Sequence, residues 1–151
     1  MSGVKNYLAF DFGASSGRAI LGKLHEGKLE LEEIHRFSND PVEINGHYYW
    51  DTFRLFYEIK QGLIKYAQGN YGPLEGIGID AWGVDFGLIG PSGELLGVPY
   101  HYRDSRTDGM MEEADKLMGR RRIFDESGIS HEFFNTVNQL LAMVKQDSPA
   151  L

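Results

Sequence analysis

The sequence predicts an α/β domain that opens on a three-stranded antiparallel meander. Three observations carry that prediction. Residues 4–10, 18–24 and 29–37 are apolar or alternating runs of strand length. Short Gly-containing turns separate them. Helical periodicity begins only after residue 51, and further strand and helix patterns then follow irregularly.

The first run, Val4–Phe10, is nearly continuous in apolar residues, as expected of a buried central strand. Arg18–Leu24 alternates as RAILGKL, and Leu29–Phe37 alternates more loosely. The segment GASSG joins the first pair, and HEGK, whose Gly27 suits a positive φ, joins the second. Within NDPVEINGHYYW, Asn45-Gly46 marks another hairpin. Asp51 or Thr52 can cap a helix running to about Gln68, with Phe53, Phe56, Ile59, Leu63 and Ile64 expected on its buried side.

The stop signals of GNYGP end that helix. A short buried strand is then expected over Ile77–Ala81, with a break at Trp82-Gly83 and a hairpin across GPSG. Helices are expected over Asp108–Met118, over Arg120–Glu126, and from near Asn135 to about Gln146. This order lacks the regular β-α alternation of a doubly wound nucleotide fold. The sequence runs out just after a helix with no closing strand, which reads as an incomplete domain.

Composition narrows the function classes. The chain has 151 residues, 42% hydrophobic and 13% aromatic, which is enough for a packed core. A net charge of −7 argues against non-specific binding to nucleic acid or to a membrane surface. The basic cluster Arg120–Arg122 reads as a solvated helix face. With no cysteine, disulfides, thiolate metal sites and thiol nucleophiles are excluded. No apolar run approaches the roughly 20 residues of a membrane-spanning helix, and the N-terminus lacks a signal-peptide pattern. The five histidines show no zinc-type spacing, and His35 and His47 are expected to be structural. A cytoplasmic protein is the expectation.

Three motifs carry chemistry. GRAILGKL, Gly17–Leu24, approaches a P-loop but has Leu24 where a metal-binding Ser or Thr belongs, and it alternates as a strand. It is rejected. DFGASSGR, Asp11–Arg18, is a run of small residues through which several backbone N–H groups can converge on an anion. The hydroxyls of Ser15 and Ser16 and the guanidinium of Arg18 can add donors, while Asp11 can hold a hydrated magnesium ion. An ordinary Gly/Ser hairpin capped by Asp is the alternative. In GIDAWGVDF, Gly83 can bring backbone close to a ligand, and Asp80 and Asp85 offer acceptors for hydroxyls; the alternative is a pair of core aromatics around a strand break. In YRDSR two guanidiniums flank one carboxylate, which as a surface ion pair is worth under ~1 kcal/mol.

Taken in order, DFGASSGR, IHRFSN, NGHYYWD, GIGIDAWGVDFGL, YRDSRT and SGISHEFFNTVNQL resemble the N-terminal portion of the FGGY carbohydrate kinase family, over essentially all 151 residues. The resemblance implies a ribonuclease-H-like (actin-like ATPase) fold, with the meander in a mixed sheet and flanking helices. It places residues 1–151 in the N-terminal part of the first kinase domain, with the rest of that domain and the C-terminal domain absent. It implies transfer of the γ-phosphoryl of ATP, with Mg2+, to the 1-hydroxyl of a small ketose sugar, L-rhamnulose being the favoured substrate. Other ketoses (xylulose, ribulose or fuculose), glycerol, or a non-catalytic actin-like ATPase module remain the alternatives.

On the same resemblance, Ala14, Ser15, Ser16, Gly17 and Arg18 form the ATP phosphate loop, and Asp11 is the metal-side acid. Gly83 contacts the sugar through its backbone, and Asp85, Arg103, Asp104 and Arg106 line the sugar side. The family's catalytic base lies in a His-Asp-Thr segment, and no such tripeptide occurs here. The segment by itself is therefore expected to be inactive.

Overall fold

Turn chemistry sets the first sheet. Glu26 and Gly27 adopt left-handed φ values of 50° and 77°, so a two-residue turn joins β2 (Ser16–His25) to β3 (Lys28–Ser38) in antiparallel register. β1 (Lys5–Phe12) pairs antiparallel with β2, Asp11 lying opposite Arg18. The computed structural model describes residues 3–151 and divides into two units. Among the described residues, the first holds residues 3–40 and 51–83, and the second holds residues 41–50 and 84–151.

In the first unit, α1 (Thr52–Gln68) crosses back to the sheet, and β6 (Leu74–Ala81) adds parallel to β1. The strand order is β3-β2-β1-β6, so the expected meander forms and β1 is central. Its burial nevertheless alternates: Leu8, Phe10 and Phe12 pack into the core, while Tyr7 on the opposite face is exposed. Ala19, Leu21, Phe37 and Tyr66 complete that core. Asp51 caps α1 as expected, its carboxylate accepting the Arg54 N–H at 2.9 Å.

The buried side of α1 departs from expectation. Phe53 is 77% exposed, and Phe56 and Ile64 are also exposed. The helix instead buries Glu58, Gly62 and Tyr66, with Leu55, Ile59 and Leu63 packed against the core. Gly62 is the reason. A Cβ there would stand 2.6 Å from the Phe10 ring and 2.9 Å from the Ala19 Cβ, so the helix lies against the sheet where it has no side chain. β6 is also less buried than expected, Ile77 and Ile79 being exposed on a strand with one neighbour among the described residues.

A buried polar network ties α1 to β3. His35 Nε2 meets Glu58 at 2.6 Å, Arg54 also bonds Glu58, and Lys65 Nζ lies 2.9 Å from His35 Nδ1. With Lys65 donating to Nδ1, His35 carries its proton on Nε2 and donates to Glu58.

In the second unit, Asn45 and Gly46, both at positive φ, turn β4 (Val42–Ile44) into β5 (His47–Tyr49). The GPSG segment forms a single bridge, Ile89 to Leu95, rather than a strand pair. A 3-10 turn at Ser105–Thr107 precedes α2 (Met110–Met118), α3 (Arg120–Ser127) and α4 (Thr136–Lys145), close to the expected helices. Arg121 and Arg122 pair one turn on with Asp125 and Glu126 on the solvated face of α3. Glu113 of α2 bonds Lys116 on the same helix and Lys145 of α4 at 2.7 Å each, and the bond to Lys116 leads in holding its carboxyl down to about 2.

Candidate functional site

The first cluster is the corner between β1 and β2. The segment GRAILGKL lies in strand β2, as its alternation required, and opens no helix. At the corner the Gly13 N–H donates to the Ser16 carbonyl at 3.0 Å. Asn39 closes it from β3's end: its side-chain amide donates to the Gly13 carbonyl at 2.8 Å, and its backbone N–H to the Ser15 carbonyl at 3.0 Å. Because a trans peptide sets N–H opposite C=O, the bond from Asn39 to Gly13 turns the Ala14 N–H away from Asn39. Gly17 has a packing role. A Cβ there would meet the Phe37 ring at 2.0 Å.

Asp11 ends β1 on the face opposite the core, and Arg18 lies 3.6 Å from its carboxylate. Arg18 Nε is buried without a hydrogen-bond partner, 3.9 Å from Glu33. Asp80 of β6 is in register with Asp11, so two carboxylates end adjacent strands side by side. Hard oxygen ligands of this kind suit a magnesium ion that keeps most of its waters, so the residues present fit that ion. Among the described residues no group of three or more acidic or histidine side chains forms a preassembled metal site. Just past β6, Gly83 is exposed, and a Cβ on it would meet no atom within 4 Å. The fold of the chain does not itself require glycine there.

The second cluster surrounds Asp85 and YRDSR. Trp50, 1% exposed, donates from Nε1 to Asp85 at 2.5 Å. Gln139, equally buried, donates from Nε2 to Asp85 at 3.2 Å, to the Val84 carbonyl at 3.1 Å and to the Phe134 carbonyl at 2.9 Å. Its Oε1 accepts from Arg106 at 2.7 Å. Asp104 is buried, and its carboxylate accepts the backbone N–H groups of Tyr48 at 2.7 Å and Arg106 at 3.0 Å while facing His47 Nδ1 at 3.1 Å. Arg106 is buried with its guanidinium over the Tyr100 ring, whereas Arg103 is exposed and stands over Tyr102.

His101 stacks between Trp50 and Tyr102, at 4.2 and 4.5 Å between ring centres. Burial pushes its imidazole below the ordinary histidine value, and its Nδ1 accepts the Arg103 N–H at 3.0 Å. The hydrogen bond to Tyr100 pushes the Tyr49 phenol up to about 12. Asn39, Trp50 and Gln139 had no assigned role in the sequence reading. Only their partners, distant in sequence by 26, 35 and 54 positions, reveal what they do.

Over 144 residues the chain is 44% identical to the rhamnulokinase of Oceanobacillus iheyensis, an alignment covering 95% of this chain and 30% of that protein. The chain matches rhamnulokinases in sequence. The rhamnulokinase of Halalkalibacterium halodurans is 46% identical over 93% of this chain and 30% of its own length, and that of Bacteroides thetaiotaomicron 43% over 97% and 30%. The chain thus spans about 30% of the length of the rhamnulokinases it matches. No family model matches it.

Among solved structures, a gluconate kinase and a ligand-bound xylulose kinase, both from Lactobacillus acidophilus, superpose with TM-scores of 0.83 and 0.82 at 15% identity. They cover 98% and 97% of this chain, which spans 30% and 29% of theirs. The chain therefore shares its fold with these sugar kinases, an actin-like ATPase fold of mixed sheet and flanking helices, of which it holds a part. No described helix is long and apolar enough to cross a membrane.

Proposed function

We propose that this chain is the N-terminal part of the first domain of an ATP-dependent kinase that converts L-rhamnulose to L-rhamnulose 1-phosphate in the cytoplasm. The identity of 41–46% to rhamnulokinases over about 95% of the chain carries this reading. The geometry supports it at the β1–β2 corner, where backbone turned outward at Ala14, the hydroxyls of Ser15 and Ser16, close packing at Gly17 and the underused Arg18 suit an anionic phosphate. Asp11, with Asp80 beside it, would hold magnesium, which when bound neutralises charge on the phosphates.

On the sugar side, the open Gly83 admits the ligand against its backbone. Asp85 has its carboxylate oriented by Trp50 and Gln139, ready to accept from a sugar hydroxyl, and the exposed Arg103 adds a donor. Asp104 and Arg106 act from behind: their buried contacts fix the loop that presents Arg103. The proton on the attacking hydroxyl must pass to a base outside these residues, so the chain by itself should not turn over.

Calorimetry on the intact protein tests this reading. L-Rhamnulose should bind saturably, and Asp11→Asn should leave that binding nearly unchanged while lowering turnover at least ~100-fold. Turnover that survives Asp11→Asn would remove the metal role. Nucleotide-driven polymerisation without sugar binding would favour an actin-like module instead.

A further inference from the structure

One side chain of the second unit carries a full charge inside with no acid at its tip. Arg106 is 7% exposed, and its guanidinium donates to the neutral amide oxygen of Gln139 at 2.7 Å and lies 3.9 Å from the centre of the Tyr100 ring. Among the described residues no carboxylate forms an ion pair with it. The nearby acids are engaged elsewhere. Asp104 takes the N–H groups of Tyr48 and of Arg106's own backbone, and Asp85 takes Trp50 and Gln139. Asp104 and Asp85 attract the guanidinium through space without an ion pair, and burial still outweighs them, holding it below the ordinary arginine range.

Arg106 also lines a cavity of about 400 Å³ in the second unit, walled mainly by apolar side chains such as Leu88, Leu96, Pro99 and Met143. That volume lies within the range of small-molecule sites and would hold about a dozen water-sized groups.

We propose that this cavity binds a small amphiphilic carboxylate, its head on Arg106 and its hydrocarbon body against Leu88, Leu96, Pro99 and Met143. A carboxylate in the cavity supplies a direct ion pair in the planar geometry that guanidinium matches best. A polyol would leave hydroxyls unpaired against these walls, and inorganic phosphate would lack the further donors it needs. The proposal does not depend on kinase activity.

Methyl-13C methionine labelling of the intact protein tests it, because Met143 lines the cavity and Met1, Met110, Met111 and Met118 serve as internal controls. Hexanoate and 3-phenylpropionate should shift the Met143 methyl saturably and leave the other four in place. Their affinities should exceed those of 1-hexanol and 3-phenylpropanol by at least ~10-fold. Ala150→Trp, which fills the cavity from near the chain's end, should abolish the shift with an unchanged melting curve. Absence of a saturable Met143 shift, equal affinity for acid and alcohol, or binding that survives Ala150→Trp would each overturn the proposal.

Discussion

Gly17 and Gly83 lie in the two motifs that pointed to a ligand, and their surroundings give them opposite roles. At Gly17 a methyl group would collide with the Phe37 ring, so Gly17→Ala should cost about 1–3 kcal/mol in denaturant unfolding. At Gly83 the space is open, so Gly83→Val should leave unfolding unchanged and weaken only sugar binding by the intact protein. A Gly83→Val variant that unfolds early would make that glycine structural. Both glycines were visible in the sequence, but only the positions of neighbouring atoms separate packing from ligand access.

His101 adds a pH dependence at the same scale. Its folded pKa is depressed by burial, so the unfolded chain takes up the proton first as pH falls. Its contribution is therefore fully present above the ordinary value of 6.5 and is lost progressively as pH drops towards the folded value. Melting curves from pH 7.5 to 5 should slope less for His101→Gln than for the unsubstituted chain; equal slopes would show that His101 titrates alike in both states.

At the scale of elements, the Glu58 network and Gly62 fix how α1 lies on the sheet. Glu58 is buried and accepts from neutral His35 and from the half-exposed Arg54, so Glu58→Gln, which weakens both bonds, should destabilise by about 1–3 kcal/mol. Gly62→Ala should also destabilise, although alanine favours an isolated helix by up to ~1 kcal/mol, because the new Cβ meets Phe10 and Ala19. A stabilised Gly62→Ala variant would show that the helix can lift without loss. Element order, the meander and the α1 cap were legible because turns and periodicity are local. The buried face of α1 was legible only at Ile59 and Leu63, which pack against the core as expected. Phe53, Phe56 and Ile64 look like a core stripe by hydropathy, and a glycine and a glutamate, which hydropathy does not score as core, hold the contact face.

At the scale of the whole molecule, the 151 residues carry a fold shared with sugar kinases and about 30% of the length of the rhamnulokinases they match. The β1–β2 corner that sets Asp11 opposite Arg18 was readable from eight consecutive residues. The support behind Asp85 was not, because Trp50 and Gln139 reach it from sequence-distant elements. The choice of L-rhamnulose rests on sequence similarity to rhamnulokinases. The decisive measurement is the kcat/KM of the intact protein, with ATP and magnesium, on L-rhamnulose, L-xylulose, L-ribulose and glycerol. L-Rhamnulose should exceed every other acceptor by at least ~10-fold. A higher kcat/KM on any of the other three, or no phosphoryl transfer to any sugar, would contradict the assignment.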